Sequence, residues 1–103
     1  MVQDKEPEDI YFAVKKEQLD YIRTKWLHST QIELDEETQF YFRSKYPTLS
    51  DCVFFSIECR ENNVLYTRFV SYCENIVLVE PIYMRECLKQ KMLAAATNYS
   101  SFE

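Results

Sequence analysis

Glycine is missing from this sequence altogether, and histidine occurs once, as His28. The glycine-rich loops that bind phosphates and dinucleotides need glycine so that the backbone can approach the ligand closely. Such nucleotide sites are therefore excluded, and every turn must be built from Asn, Asp, Ser, Pro or Lys. A single histidine also cannot complete the usual Cys/His zinc sets.

The cysteines form no CxxC pair, and their spacing matches no zinc signature. The chain begins with acidic residues, unlike a secretory signal, and no apolar run approaches the roughly 20 residues that cross a bilayer. We therefore predict a cytoplasmic protein with no membrane partner. In that setting the cysteines are expected to be buried as small apolar side chains; they are Cys52, Cys59, Cys73 and Cys87.

Acidic residues outnumber basic ones, 17 against 12, and the net charge is −5. Nucleic-acid binding depends largely on Lys and Arg that neutralise phosphates, so the chain as a whole lacks that signature. Its 103 residues, of which 47% are hydrophobic, suit one domain with one core. We predict a linker or tail at 1–8, a single domain at 9–99 and a C-terminal tail at 100–103.

The hydrophobic pattern predicts the order strand, helix, strand, strand, helix, strand, helix. The strands are expected at 10–14, 31–34, 52–59 and 76–79. The helices are expected at 17–27, after an N-cap at Asn62 or Asn63, and at 82–98. This order is typical of an α+β, ferredoxin-like βαββαβ fold, with an antiparallel sheet, helices on one face and an added C-terminal helix.

Several local predictions are more specific. The first helix is expected to bury Leu19, Ile22 and Trp26 on one face. The last helix is expected to bury Met84, Cys87, Leu88 and Ala95. The segment 39–46 is interpreted as an extended strand or an aromatic-rich loop. Asn75 is expected to take the left-handed conformation that ends the second helix, in place of the missing glycine.

Two stretches carry a family resemblance. Residues 26–31, WLHSTQ, resemble the LHxSQ segment in the C-terminal extension (WCX domain) of WYL-domain transcription regulators, with Thr30 in place of Ser. Residues 69–81, FVSYCENIVLVEP, are similar to that family's sfGdnvevleP stretch, with Cys73 in place of Gly. The similarity covers about 9–99. It implies a bacterial regulatory domain that contributes to dimer contacts, while upstream helix-turn-helix and WYL domains, absent from this chain, make the main DNA contacts.

Few residues are candidates for ligand or partner contact. His28 and Gln31 lie in the predicted helix-to-strand turn, where a hydrogen bond to the backbone is favoured over general-base chemistry. Arg43 and Lys45 alternate with aromatic residues, as in single-stranded nucleic-acid platforms, although such segments more often cover a core or a dimer seam. Arg68 is a possible anion contact. No catalytic, cofactor-binding or metal-binding residue is predicted.

The leading hypothesis is a non-catalytic regulatory and oligomerisation module of a WYL-type transcriptional regulator, forming a homodimer. The alternative is a small-molecule or oligonucleotide sensor domain of the same fold, with His28, Gln31 and Arg68 lining a ligand pocket. An enzyme is not expected, because no nucleophile–base pair, metal set or cofactor loop can be assembled from these residues.

Overall fold

The computed structural model describes residues 6–102, so residues 1–5 of the predicted tail and Glu103 lie outside the described residues. Four strands form one antiparallel sheet in the order β2–β3–β1–β4. The strands are β1 (Glu8–Val14), β2 (Ile32–Glu33), β3 (Val53–Cys59) and β4 (Ile76–Glu80). The helices are α1 (Lys16–Thr24), α2 (Glu36–Lys45), α3 (Asn63–Ser71) and α4 (Ile82–Ser100). The chain therefore has the predicted α+β, ferredoxin-like fold with an added C-terminal helix.

The central strand β1 divides the core into two parts, because successive side chains on a strand point to opposite faces. Ile10, Phe12 and Val14 point to the main face, where they pack with residues of α1, α3 and α4. Tyr11 and Ala13 point to the opposite face, which is covered by α2 and which we call the α2 face. Both faces of the sheet are thus shielded from solvent.

The main face holds the larger apolar cluster. Phe12 stacks on Phe55 with the ring centroids 5.7 Å apart, and it meets the Phe69 ring edge-on at 5.6 Å. The helices add fully buried side chains, including Ile22 from α1 and Met84 from α4. Side chains alternate along β3, since Phe55 and Ile57 lie on this face and Phe54 lies on the α2 face.

Helix α2 corrects the prediction of a strand or loop at 39–46. Asp35 is the N-cap, and its carboxylate accepts a hydrogen bond of 2.9 Å from the Thr38 N–H. Acidic residues occupy the first turn and basic residues the last, which complements the helix macrodipole. The local pattern of the Asp-Glu-Glu cluster at 35–37 indicates a solvated turn, but in the structure this cluster is the start of a helix.

Helix α1 is shorter than predicted, because it ends at Thr24. Lys25 has non-helical backbone angles, so Trp26 falls out of phase with the buried face and is 55% exposed. Its indole N–H donates to the Arg23 carbonyl at 3.0 Å, and Leu27 is buried instead. The prediction that Trp26 joins the core is wrong.

The connection from α3 to β4 departs from the prediction at one residue. The N-cap at Asn62 is confirmed, because its side chain accepts a hydrogen bond from the Leu65 N–H. At the other end, however, Cys73 and not Asn75 is left-handed, with φ of 50°. A positive φ is uncommon for a residue with a Cβ, because glycine is the residue for which this conformation costs least.

The expected burial of the cysteines holds only in part: Cys52 is buried, Cys59 and Cys87 are half-buried, and Cys73 is exposed. Ala95 is also exposed, contrary to the prediction, as are all residues at 93–100, which we call the projecting half of α4. The radius of gyration is accordingly 14.5 Å, against about 13 Å for a compact chain of this length. No helix among the described residues is long and apolar enough to cross a membrane.

Candidate functional site

The turn between α1 and β2 is held from within by the predicted contact residue Gln31. Its side chain is buried, its Oε1 accepts from the Leu27 N–H at 2.9 Å, and its Nε2 donates to the Ile22 carbonyl at 3.1 Å. Both ends of the amide are thus used to satisfy backbone groups that the end of α1 leaves unpaired. Gln31 therefore builds the turn with both ends of its amide.

Thr30 ties the same turn to the neighbouring strand. Its hydroxyl accepts from the Glu58 N–H at 2.8 Å and lies 2.8 Å from Nδ1 of His28 and 3.1 Å from the Glu58 carbonyl. The Thr30 N–H donates to Nδ1 of His28 at 3.2 Å. The segment that carries the family resemblance is therefore a structural clamp, in which hydroxyl and amide side chains replace backbone pairing.

His28 and Arg68 are brought together by this clamp. Nη1 of Arg68 donates to the Leu27 carbonyl at 2.7 Å, which fixes the guanidinium beside the turn. Both side chains line a small hollow of about 180 Å³ between the turn and the beginning of α3. The other residues of this polar hollow are Leu27, Cys59, Asn62, Val64 and Leu65.

Arg43 and Lys45 lie on α2, on the opposite face of the sheet from the polar hollow. The Arg43 guanidinium donates through Nε and Nη2 to the Cys52 carbonyl at 3.2 and 2.9 Å. Lys45 pairs with Glu80, with Nζ 3.0 Å from Oε2. Both cations therefore have partners within the fold, while the rings of Phe40 and Tyr41 on the same helix are exposed.

Glu80 is the centre of this second cluster. Partial burial favours its neutral form, but hydrogen bonds from Lys45 and from the Tyr46 hydroxyl outweigh that effect and lower the pKa of Glu80 below its usual value. Burial and the bond to Glu80 raise the pKa of Tyr46 in turn. The cluster joins α2 to β4 and has the character of a structural anchor.

A third feature, which we call the α4 groove, lies between β4 and α4. It encloses about 310 Å³ and is mainly apolar, with Arg85 and Lys89 at its rim. A second apolar hollow of about 280 Å³ adjoins it, and the two share Cys73 and Met92. The other apolar lining residues are Ile76, Val77, Leu78, Leu88 and Leu93 in the groove, and Val70 and Ala95 in the second hollow.

The α4 groove continues into the projecting half of α4. Along this helix Met84 and Leu88 are buried, whereas Leu93 and Tyr99 are 50% and 73% exposed, and Phe102, in the turn that follows the helix, is 82% exposed. The sequence contains a signal for this surface, since apolar residues recur at spacings of four and three beyond Met92. That spacing alone does not distinguish packing within the domain from exposure.

Metal binding and reactive-thiol chemistry have little support in residues 6–102. No group of three His, Cys, Asp or Glu side chains is placed to hold a metal ion there. Burial is the main reason that the pKa of the Cys52 thiol is raised, which makes it less reactive. Comparison of the chain with protein-family models, with curated proteins and with solved structures gave no match.

Proposed function

We propose that this chain is a non-catalytic regulatory and oligomerisation module that self-associates through the projecting half of α4. The observation that carries the proposal is the change of environment along one helix. Met84 and Leu88 in its first half are buried, while Leu93 and Tyr99 in its second half and Phe102 just beyond its end are exposed. Apolar surface that is contiguous with a groove commonly marks a protein-binding site.

The spacing of the apolar residues suits a second helix. Leu88, Met92, Ala95, Tyr99 and Phe102 follow one another at intervals of four, three, four and three. This is the interval of the seam along which helices pack side by side. Because the first members of the seam already contact their own domain, the later ones are available to a partner helix.

Charge favours a second copy in an antiparallel arrangement. Residues 92–102 contain no charged side chain, so two copies of this segment do not repel each other. An antiparallel pair centred on Ala95 sets Lys89 of one copy beside Ser101 of the other. Lys89 then faces the C-terminal end of the other α4, where the helix macrodipole is negative.

The α4 groove adds contact area that the helix alone does not supply. The helical part of this segment, residues 92–100, is about 14 Å long, so a helix pair of that length buries less than the roughly 800 Å² per partner of a standard interface. Val77, Met92 and Leu93 in the adjoining groove extend the apolar surface. We expect weak association, with a dissociation constant on the order of micromolar.

The wider context is proposed from the sequence resemblance to WYL-type regulators. Two observations support it: residues 27–31 form a compact clamp, and Cys73, at the family's glycine position, has a positive φ. On this proposal the domain acts in the cytoplasm, and its dimer contacts set the spacing of upstream DNA-binding domains.

Light scattering coupled to size exclusion, over a range of protein concentrations, tests the self-association. We expect a concentration-dependent shift from monomer to dimer that Phe102→Asp or Leu93→Asp weakens at least tenfold. The matched control is Phe40→Asp, which adds the same charge at an exposed phenylalanine of α2. A strict monomer at all concentrations, or a dimer disrupted only by Phe40→Asp, contradicts the proposal.

A further inference from the structure

The polar hollow beside α3 combines an apolar floor with polar groups at its edge. Leu27 and Leu65, both buried, form the floor, and His28, Asn62 and Arg68 supply the polar groups. Its volume of about 180 Å³ lies below the range typical of drug-sized ligand pockets. Any ligand that it holds therefore has only a few non-hydrogen atoms.

Arg68 is fixed at this hollow without an acidic partner. One nitrogen, Nη1, is held by the Leu27 carbonyl at 2.7 Å, and in residues 6–102 the guanidinium makes no ion pair. Arg23, by contrast, is bound at 2.9 Å by Glu33. Arg68 thus presents a positioned positive charge whose remaining N–H groups can bind an anion.

His28 presents a second donor to the same hollow. Nδ1 of His28 lies 3.2 Å from the Thr30 N–H, which can only donate, and 2.8 Å from the Thr30 hydroxyl, so Nδ1 accepts from both groups and the ring hydrogen is placed on Nε2. Since Nδ1 is turned to Thr30, the Nε2–H lies on the other side of the ring. His28 is half-buried at the edge of the hollow, which makes this N–H a fixed donor.

The acidic residues closest in sequence do not occupy the hollow. Glu58 lies on the solvent-exposed side of β3, between Ile57 and Cys59, which pack toward the main face. Glu61 precedes α3, and its carboxylate accepts the hydroxyl of Tyr66. The local charge at the hollow is therefore positive, although the whole chain is acidic.

We propose that this hollow binds a small organic monocarboxylate with a short apolar tail. The two carboxylate oxygens are bound by the Arg68 guanidinium and the His28 Nε2–H, and the tail rests on Leu27 and Leu65. A carboxylate fits because it is planar, accepts on both oxygens and matches the fork of an arginine. The apolar floor favours it over inorganic phosphate, which has no tail to bury.

Amide chemical-shift mapping by NMR on the full chain tests the site, with sodium isobutyrate as the probe and sodium chloride at equal ionic strength as the blank. We expect saturable shifts at residues 27–31 and 59–68. Arg68→Gln should weaken binding about tenfold or more, as expected for a lost hydrogen bond to a charged group. Lys16→Gln, which removes the same charge at the start of α1, should leave binding unchanged.

Since Arg68 also bonds the Leu27 carbonyl, His28→Phe provides a second test that leaves that bond in place. It removes the Nε2–H but retains an aromatic ring, and we expect weaker isobutyrate binding with an otherwise native spectrum. Equal shifts in the wild-type protein and both variants would overturn the proposed site. Saturable binding of sodium phosphate without binding of isobutyrate would overturn the ligand class. Neither result bears on self-association through α4.

Discussion

The two faces of the sheet are covered in different ways. On the main face three helices pack against an apolar cluster whose centre is the contact of Phe12 with Phe55 and Phe69. On the α2 face a single ten-residue helix covers a smaller cluster around Phe42 and Phe54. Because the apolar cluster on that face is smaller, polar side chains also hold the helix in place. The principal one is Gln39, which belongs to α2 and is buried against the sheet.

The difference follows from topology. The βαββαβ order places α1 and α3 on one face of the sheet, and the other face depends on the insertion between β2 and β3. A helix as short as α2 is not stable alone in water, so it must be held by the sheet. Gln39 holds α2 on the sheet in the way that a neighbouring strand would be held. Its amide accepts from the Phe54 N–H and donates to the Phe54 carbonyl, both at 2.8 Å.

The largest expected effect comes from truncating the aromatic centre of each face. Phe69→Ala should lower the free energy of unfolding by about 4 kcal/mol and Phe42→Ala by about 3 kcal/mol, because each leaves a cavity in an apolar cluster. Phe69 is fully buried, whereas Phe42 retains slight exposure in the smaller cluster. Urea denaturation measures both values. A larger loss at Phe42 would mean that the α2 face carries more of the stability.

An intermediate effect is expected from Gln39→Ala. The substitution leaves the buried N–H of Phe54 without its acceptor and should cost about 2 kcal/mol. Amide hydrogen exchange should also show lower protection in α2 than in α3, since only α2 loses its anchor. The matched control is Gln90→Ala on the exposed side of α4, where a change within about 0.5 kcal/mol is expected. If the two substitutions lowered stability equally, the hydrogen bonds of Gln39 would not be what holds α2 on the sheet.

The smallest effect concerns pH. The lowered pKa of Glu80 stabilises the folded state above its unfolded pKa of about 4.3, and that contribution is lost as pH falls through the lower folded value. Glu80→Gln should cost at most about 1 kcal/mol at neutral pH and should flatten the decline of stability in acid. Denaturation at several pH values measures this. An unchanged acid profile would show that the cluster of Glu80 with Lys45 and Tyr46 contributes little.

Local sequence patterns were enough to predict most of the fold. Alternation in β3, the apolar run of β4 and the N-cap at Asn62 are set by interactions between near neighbours, so they are visible without tertiary contacts. Their order predicted the ferredoxin-like arrangement. Helix α2 was missed because only Gln39 and Phe42 are buried on it, while Phe40 and Tyr41 between them are exposed. That pattern has no clear helical period.

The candidate sites were predicted less completely. His28 and Arg68 were named from the sequence, yet their meeting at one hollow depends on a hydrogen bond between residues 41 positions apart. Gln31 has the polarity of a ligand contact, but the fold uses both ends of its amide for the backbone. Local sequence cannot show which polar groups the tertiary structure has already paired.

Sequence by itself determined the classes of site that this protein lacks, since a chain without glycine cannot build a glycine-rich phosphate loop. It also determined the order of the four strands and of α1, α3 and α4, and the regular apolar spacing along α4. Only the tertiary structure decided where that seam leaves the core. The spacing from Leu88 to Phe102 is regular, but Met92 is the last residue of α4 that packs against the main cluster, so the same pattern is buried at Leu88 and exposed at Tyr99.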